Sequence, residues 1–299
     1  MVTNENPAAD AGKVRKPPET AFGCPRDFLN NRFVYVVVSP RARGLSIGVN
    51  MNPGKVCNFD CIYCEVDRTQ PSQEANLDTK VLTEELQRTL AFIHSGQIRH
   101  SPRYHALPAE LLELRDVALS GDGEPTLSQN FLQAVETVIH ARAQRLFPFF
   151  KLVLLTNATG LDLPQVQHGL KHFTSQDEIW AKLDAGTQSY MERVNRPTVP
   201  LEKVVANILL IGRQSPIIIQ SLFPLVEGRH PSSDEIDRYV SRLKELKDGG
   251  AQISLVQIYS ATRPVARGEC SQCGHLPLQS LSTIARAIRT ATGLRAEVF

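Results

Sequence analysis

From residue 32 onward, short runs of consecutive apolar residues alternate with longer stretches whose apolar positions recur every three or four residues. The short runs are RFVYVVVS (32–39), LSIGVNM (45–51), DVALSG (116–121), KLVLLTN (151–157), EIWAKLD (178–184), PIIIQSLF (216–223) and ISLVQIY (253–259). Most are continuous rather than alternating, as parallel strands covered on both faces require. The first two pair antiparallel through PRARG, whose proline and glycine suit a turn and not a helix. Between the strands lie amphipathic helices. In 232–248, Ser232 and Glu235 have capping-box spacing, Ile236, Tyr239, Val240, Leu243 and Leu246 form one face, and Gly249 ends the run. Similar core-facing stripes run through Leu86, Leu90 and Ile93, and through Leu278, Leu281, Ile284 and Ile288.

Regular strand–helix alternation builds a parallel sheet. A closed eight-unit barrel needs two more strands than the six that follow the first, so the expected class is α/β: an open, partial (βα)6 TIM-like barrel with a short N-terminal β extension. It is expected as one domain over 21–299, after a polar, proline-bearing disordered leader at 1–20 with no signal-peptide core.

Composition narrows the function classes. Of the 299 residues, 42% are hydrophobic, enough for a full core. The net charge of +2 is far from the polycation of a non-specific nucleic-acid binder, yet does not exclude RNA. No apolar run approaches the ~18 residues of a membrane span. A cytoplasmic location follows, in which the six cysteines point to metal or redox use rather than to structural disulfides.

Half of those cysteines are spaced as Cys57-x3-Cys61-x2-Cys64 in the run MNPGKVCNFDCIYCEVDR. Three thiolates can hold three irons of a [4Fe–4S] cube and leave the fourth open to a ligand, whereas an electron carrier wants four. The alternatives are a zinc site, usually built from paired C-x2-C elements, or cysteines that are only buried. The triad directly follows the first parallel strand, and α/β barrels place their chemistry at the carboxyl ends of strands. At the next such end stands SGDGEPTL (120–127).

With these two elements the chain resembles the radical S-adenosylmethionine (SAM) superfamily over roughly residues 33–295. The resemblance implies a [4Fe–4S] cluster on Cys57, Cys61 and Cys64, with SAM chelating the open iron and Tyr63 lying against its adenine. It implies that Gly121, Asp122, Gly123, Glu124 and Pro125 form the turn that recognises the methionyl amino group. It also implies that strand-end residues Asn157, Lys182, Asp184, Gln220 and Ser221 contact the rest of SAM, although each could instead cap the following helix. Gln257 and Tyr259 are placed to face the substrate or the adenine. The reaction implied is reductive cleavage of SAM to a 5′-deoxyadenosyl radical that takes hydrogen from a small molecule, a nucleoside or a tRNA base. An activase acting on a protein or peptide is the alternative, and a non-catalytic iron–sulfur or zinc redox protein a further one.

Within the superfamily, SPRARGLSIGVNMNPGKVCNFDCIYC and GDGEPTL look most like the iron–sulfur oxidoreductases related to wyosine-synthesis enzymes, which modify a tRNA guanosine. The sequence shows neither a flavodoxin-like domain nor a separate RNA-binding module, so the tRNA reaction is not carried over. An electron donor such as a flavodoxin or ferredoxin is implied. Pyruvate formate-lyase activases share the cysteine spacing, and VNRPTVP (194–200) is either an analogous loop or an ordinary connection.

Cys270 and Cys273 lie in GECSQCGH, within a loop at 268–276, and Cys24 precedes the barrel. Together they could bind an auxiliary cluster or zinc, or remain unligated. Arg41, Arg43, Lys55 and Arg68 flank the cysteine segment, either to attract a phosphate-bearing substrate or as solvated charges.

Overall fold

The computed structural model describes residues 20–23, 26–72, 74–262 and 273–299. Cys24, Cys270 and the leader up to residue 19 lie outside the described residues. The elements are β1 (Val34–Ser39), β2 (Gly44–Asn50), α1 (Thr79–His94), β3 (Leu114–Ser120), α2 (Phe131–Ala143), β4 (Lys151–Thr156), α3 (Pro164–Leu170), β5 (Glu178–Lys182), α4 (Gln188–Val194), α5 (Leu201–Gly212), β6 (Ile217–Leu222), β7 (Pro224–Val226), α6 (Ser233–Asp248), β8 (Ile253–Tyr259), β9 (Cys273–His275), α7 (Leu278–Thr292) and β10 (Ala296–Val298).

Every apolar run read from the sequence is a strand. The main sheet has eight strands in the order β1-β2-β3-β4-β5-β6-β8-β10. All neighbours are parallel except β1 and β2, which pair antiparallel from Val34↔Val49 to Ser39↔Gly44. The edge strands β1 and β10 do not pair, so the barrel is open, as expected. Across the open side Arg43 of the β1–β2 turn reaches Glu297 of β10 at 3.7 Å.

Three features differ from the sequence reading. β10 adds a seventh parallel strand through Ala296↔Val256, and its three residues are too few to show a period. β7 and β9 form a separate antiparallel ribbon pairing Val226 with Cys273. Leu278, read as part of the α7 core stripe, is 65% exposed while Leu281, Ile284 and Ile288 are buried. It is the first residue of its helix, and because helical Cα–Cβ bonds tilt toward the N-terminus its side chain projects past the packed turn.

The sheet separates two apolar layers. Outward residues such as Ile47, Val117, Leu154, Ile219 and Val256 belong to the large core under the helices. Inward residues Ala118, Val153, Trp180 and Ile218 form a small cluster of their own in the barrel lumen. Helix ends follow their local chemistry. Asp78 caps α1 by accepting from the Lys80 and Val81 amides, and Ser232 caps α6 by accepting from the Glu235 amide. Glu235 does not complete the box; its carboxylate accepts at 2.5 Å from the Gly186 amide and at 2.5 Å from the Thr187 hydroxyl, fixing the start of α4. Among the described residues no helix is long and apolar enough to cross a membrane.

Candidate functional site

The cysteine loop leaves β2 at Asn50 and is held from three directions. The Met51 amide donates to Ser120 O (2.8 Å), while the Asp60 and Ile62 amides donate to Asn195 O and Val194 O, both at 2.9 Å, at the end of α4. Arg68 closes the loop internally with a 2.6 Å bond to Phe59 O. Phe59 and Tyr63 are buried beneath it, leaving Cys57, Cys61 and Cys64 partly exposed at the carboxyl-end rim.

The SGDGEPTL turn packs against this loop, which explains its glycines. Gly121 adopts φ +125°, and a Cβ there would meet Asn50 Oδ1 at 2.2 Å. A Cβ on Gly123 would meet Val56 O at 2.1 Å. The Glu124 amide donates to Val56 O (2.9 Å), the Asp122 amide to Asn50 Oδ1 (3.0 Å), and Asn50 Nδ2 returns a bond to Asp122 Oδ2 (2.7 Å). The two signature segments are therefore one double-layered rim.

The Glu124 side chain is buried, with four protein donors on its carboxylate. Its Oε1 accepts from the Thr126 amide (3.1 Å) and from the hydroxyls of Thr126 (2.7 Å) and Thr156 (2.5 Å), and Oε2 accepts from the Asn157 amide (2.8 Å). Burial pushes its carboxyl up despite those bonds. Pro125 opens the short 3-10 turn Pro125–Leu127 that Glu124 caps. Asn157 turns its amide toward the cysteine loop, donating to Asn58 Oδ1 (2.8 Å) and lying 4.0 Å from Cys57 Sγ.

A second network centres on Asp184. Its Oδ1 accepts from the Leu222 amide (2.8 Å), and its Oδ2 accepts from Tyr63 OH and Asn195 Nδ2 (3.1 Å). Lys182 Nζ stands 3.3 Å away and donates to Tyr259 OH (3.1 Å). Burial opposes the charge on Lys182, but Asp184 and Tyr259 outweigh it and hold the ammonium above the ordinary lysine range. Asn195 also donates to Cys61 Sγ (3.4 Å) and Tyr63 OH (2.6 Å). Nothing in the VNRPTVP run marks Asn195 as a site residue, since its partners Cys61, Tyr63 and Asp184 all lie outside that run. Gln220 pairs with Gln257 (3.1 Å) beside Tyr259. Ser221 instead faces the helix layer, bonded to Leu183 O and Tyr239 OH, both at 2.6 Å.

Burial pushes the Cys57 thiol up, and pushes that of Cys61 up to about 12. A cation must therefore replace those protons before these sulfurs become ligands. Among the described residues, no three His, Cys, Asp or Glu groups are gathered around a point where a single ion would sit. Thiolates at the corners of a cluster stand further apart than ligands of one ion, and three on one short loop, with side-chain amides directed at the sulfurs of Cys57 and Cys61, fit a cluster by their chemistry. Cys273, in β9, lies on the same carboxyl-end side through its pairing with β7; its proposed partners Cys24 and Cys270 are outside the described residues.

A cavity of about 320 Å³ opens beside Cys64 and runs into the lumen, touching Gly121, Tyr63, Lys182 and Tyr259 and reaching Asp116. The four flanking cations have separate fates. Lys55 donates to Asp67 O (2.6 Å) and Gln70 O (2.9 Å), Arg68 lies beside Cys57, Arg43 meets Glu297 at 3.7 Å, and Arg41 enters the cavity wall.

No family model matches the chain. A UPF0026 protein of Helicobacter pylori is 26% identical over 234 residues, covering 76% of this chain and 67% of that protein. A UPF0026 protein of Synechocystis is 28% identical over 181 residues, 58% of this chain and 57% of the relative. Among solved structures, TYW1 with a lysine–pyruvate adduct bound superposes with a TM-score of 0.55 at 15% identity, covering 86% of this chain and 84% of that one. Streptococcus suis SuiB bound to S-adenosylmethionine gives 0.57 at 13% identity over 87% and 52% of the two chains. A spore photoproduct lyase mutant gives 0.50 at 10% identity over 84% and 75%. These neighbours are radical SAM enzymes, and at these identities the likeness is one of fold: the chain shares an open, mostly parallel α/β barrel with them.

Proposed function

We propose that the protein is a radical SAM enzyme acting on a small-molecule, nucleoside or tRNA-base substrate. In this reading Cys57, Cys61 and Cys64 hold a [4Fe–4S] cluster, and the cavity beside them receives SAM and the substrate. When bound, the cluster and SAM supply an electron and the 5′-deoxyadenosyl radical that removes hydrogen from the substrate. The observation that carries the proposal is the cavity whose wall joins Cys64 to the lumen, because a reactive radical needs an enclosed space next to its source. The chain's own residues shape that space. Asn195 and Asn157 direct amide donors at cysteine sulfurs, Asp184 orients Tyr63 and Lys182, and Glu124 locks the rim. Since Glu124 and Asp184 are occupied by protein donors, contacts to SAM fall to the backbone of the 121–125 turn, to Tyr63 and to Lys182.

The test is anaerobic reconstitution with iron and sulfide followed by dithionite and SAM. Release of 5′-deoxyadenosine, abolished in Cys57→Ala, Cys61→Ala and Cys64→Ala variants, is the expected result. An intact cluster that releases none would favour a non-catalytic redox protein. Iron counts on the same samples address the second centre on Cys24, Cys270 and Cys273, since about four irons per chain in both wild type and Cys270→Ala/Cys273→Ala leave room for one cluster only.

A further inference from the structure

One charged group in the cavity wall has no polar partner among the described residues. Arg41 lies in the turn between β1 and β2, outside the strands whose ends carry the SAM positions implied by resemblance. It crosses the open side so that its guanidinium carbon stands 4.6 Å from the centre of the Tyr259 ring. Its Nε is buried with no hydrogen-bond partner, and among the described residues no carboxylate lies within ion-pair distance of it. Arg68 Nε is likewise buried without a partner among the described residues, but Arg68 donates to Phe59 O at 2.6 Å and stands 3.6 Å from Asp60. Other arginines are matched: Arg32 with Glu74, Arg103 with Asp27 and Arg142 with Asp177, each at 2.5 Å. On the same ring, Lys182 Nζ lies 5.5 Å from the centroid, its charge already answered by Asp184. Two cations thus share one tyrosine in the wall of a cavity that also touches Cys64, and among the described residues only Lys182 has a counter-ion.

We propose that the Arg41 end of this cavity is the substrate site and that it takes a small molecule bearing an oxyanion, a carboxylate or phosphate, seated on Arg41 with the rest of the molecule directed toward Cys64. As an assignment of substrate class it rests on the radical SAM reading; as an anion site it stands alone. A guanidinium presents parallel N–H groups that match two oxygens of a carboxylate or phosphate, and its Nε–H is half of one such edge. The Tyr259 face fixes the plane of the guanidinium before the ligand arrives. Lys182 is tied to Asp184 as an ammonium, so it contributes positive potential rather than a nucleophilic amine.

Equilibrium dialysis of the reconstituted full-length protein, without reductant, against radiolabelled inorganic phosphate and separately against radiolabelled acetate tests the site. Each probe is run with and without saturating SAM. At least one probe should bind at one site per chain and stay bound with SAM present; stronger phosphate binding identifies a phosphoryl group, stronger acetate binding a carboxylate. Arg41→Gln should weaken binding about tenfold or more, and Arg41→Lys, which keeps the charge but loses the fork, by several-fold. Arg43→Gln, whose partner is Glu297, should stay within about twofold. Absence of binding by both probes, equal binding by Arg41→Gln with an unchanged melting temperature, or displacement of the probe by SAM would each overturn the proposal. Because the dialysis uses no reductant and measures no 5′-deoxyadenosine, its failure is separable from failure of the radical SAM reading.

Discussion

The rim around the cysteine loop and the wall of the lumen cavity are carried by the same strands, yet they use their polar groups in opposite ways. At the rim, Glu124 and Asp184 look from the sequence like carboxylates waiting for a ligand, and both are filled by the protein's own donors. In the wall, Arg41 keeps a buried donor with no partner among the described residues, and Asp116 is buried with one hydrogen-bonding hydroxyl, that of Ser46 at 2.5 Å. The first arrangement fixes geometry, because a satisfied buried network has one low-energy form. The second leaves interaction energy for something the chain does not supply. Under the proposed function the common step of the chemistry falls to the rim, and the choice of substrate to the wall.

If the rim is scaffold, its carboxylates should matter to folding before they matter to ligands. Glu124→Ala strands two backbone amides and two hydroxyls in a buried site, and should cost about 4 kcal/mol in denaturant unfolding. A loss below about 1 kcal/mol, with lost SAM binding, would reverse the assignment and make Glu124 a ligand contact. Asp184→Asn should cost about 3 kcal/mol, because it removes the counter-charge of Lys182, whose side chain is 20% exposed, and mismatches the donors on Oδ2. Adding Lys182→Met should recover part of that loss, since the uncompensated cation goes with it. If the double variant is no more stable than Asp184→Asn, the ion pair is not what Asp184 contributes.

The sequence made the β strands legible because parallel strands covered on both faces leave continuous apolar runs, and KLVLLTN or PIIIQSLF can hardly be anything else. The cysteine triad and the GDGEP turn were legible for a different reason: each is a short motif with its own fixed spacing, although the two pack on one another across 72 positions of the chain. What escaped was set by partners outside the motif each residue stands in. Glu124 reads as an open acid until Thr156 and Asn157 arrive from the end of β4, and Asp184 until Asn195 arrives from the end of α4. Ser221 is on a strand end, but strand residues alternate in direction, and its hydroxyl points to Tyr239 instead of into the lumen. Arg41 reads as one scattered charge among four, because nothing local to PRARG says that it meets Tyr259, more than two hundred residues away in the chain.

The wall makes the opposite forecast for its acid. Burial pushes the Asp116 carboxyl up to about 6, with Ser46 and Lys151 pulling it down and Glu178 adding to the rise. Because the folded value lies above the unfolded one, the stability contributed by the protonated form is complete below about 3.8 and is lost as pH rises through about 6. Asp116→Asn, which keeps an acceptor for Ser46, should therefore be the more stable protein at pH 8 by up to about 3 kcal/mol. That advantage should shrink toward zero by about pH 4. Paired urea titrations across that range measure it. An equal difference at every pH would mean that Asp116 is not charged at a cost, and the contrast between rim and wall would lose one of its two members.

The smallest effect belongs to the link across the open side. Arg43 and Glu297 approach to 3.7 Å, with side chains 75% and 29% exposed, and they join the β1–β2 turn to β10 where no backbone ladder does. If this ion pair closed the barrel, its removal would loosen the wall and disturb Arg41 two residues away. Exposed pairs at such distances contribute roughly 0–1 kcal/mol, and salt screens them. β1 is held to β2 by six paired residues from Val34 to Ser39, and β10 to β8 by three, so each edge is fixed without the other. Arg43→Ala should accordingly change unfolding free energy by less than about 0.5 kcal/mol, with no added effect in high salt. A larger loss, together with weakened oxyanion binding, would show that the wall depends on the seam being bridged, and that the unmatched charge of Arg41 is held in place by its neighbour rather than by Tyr259.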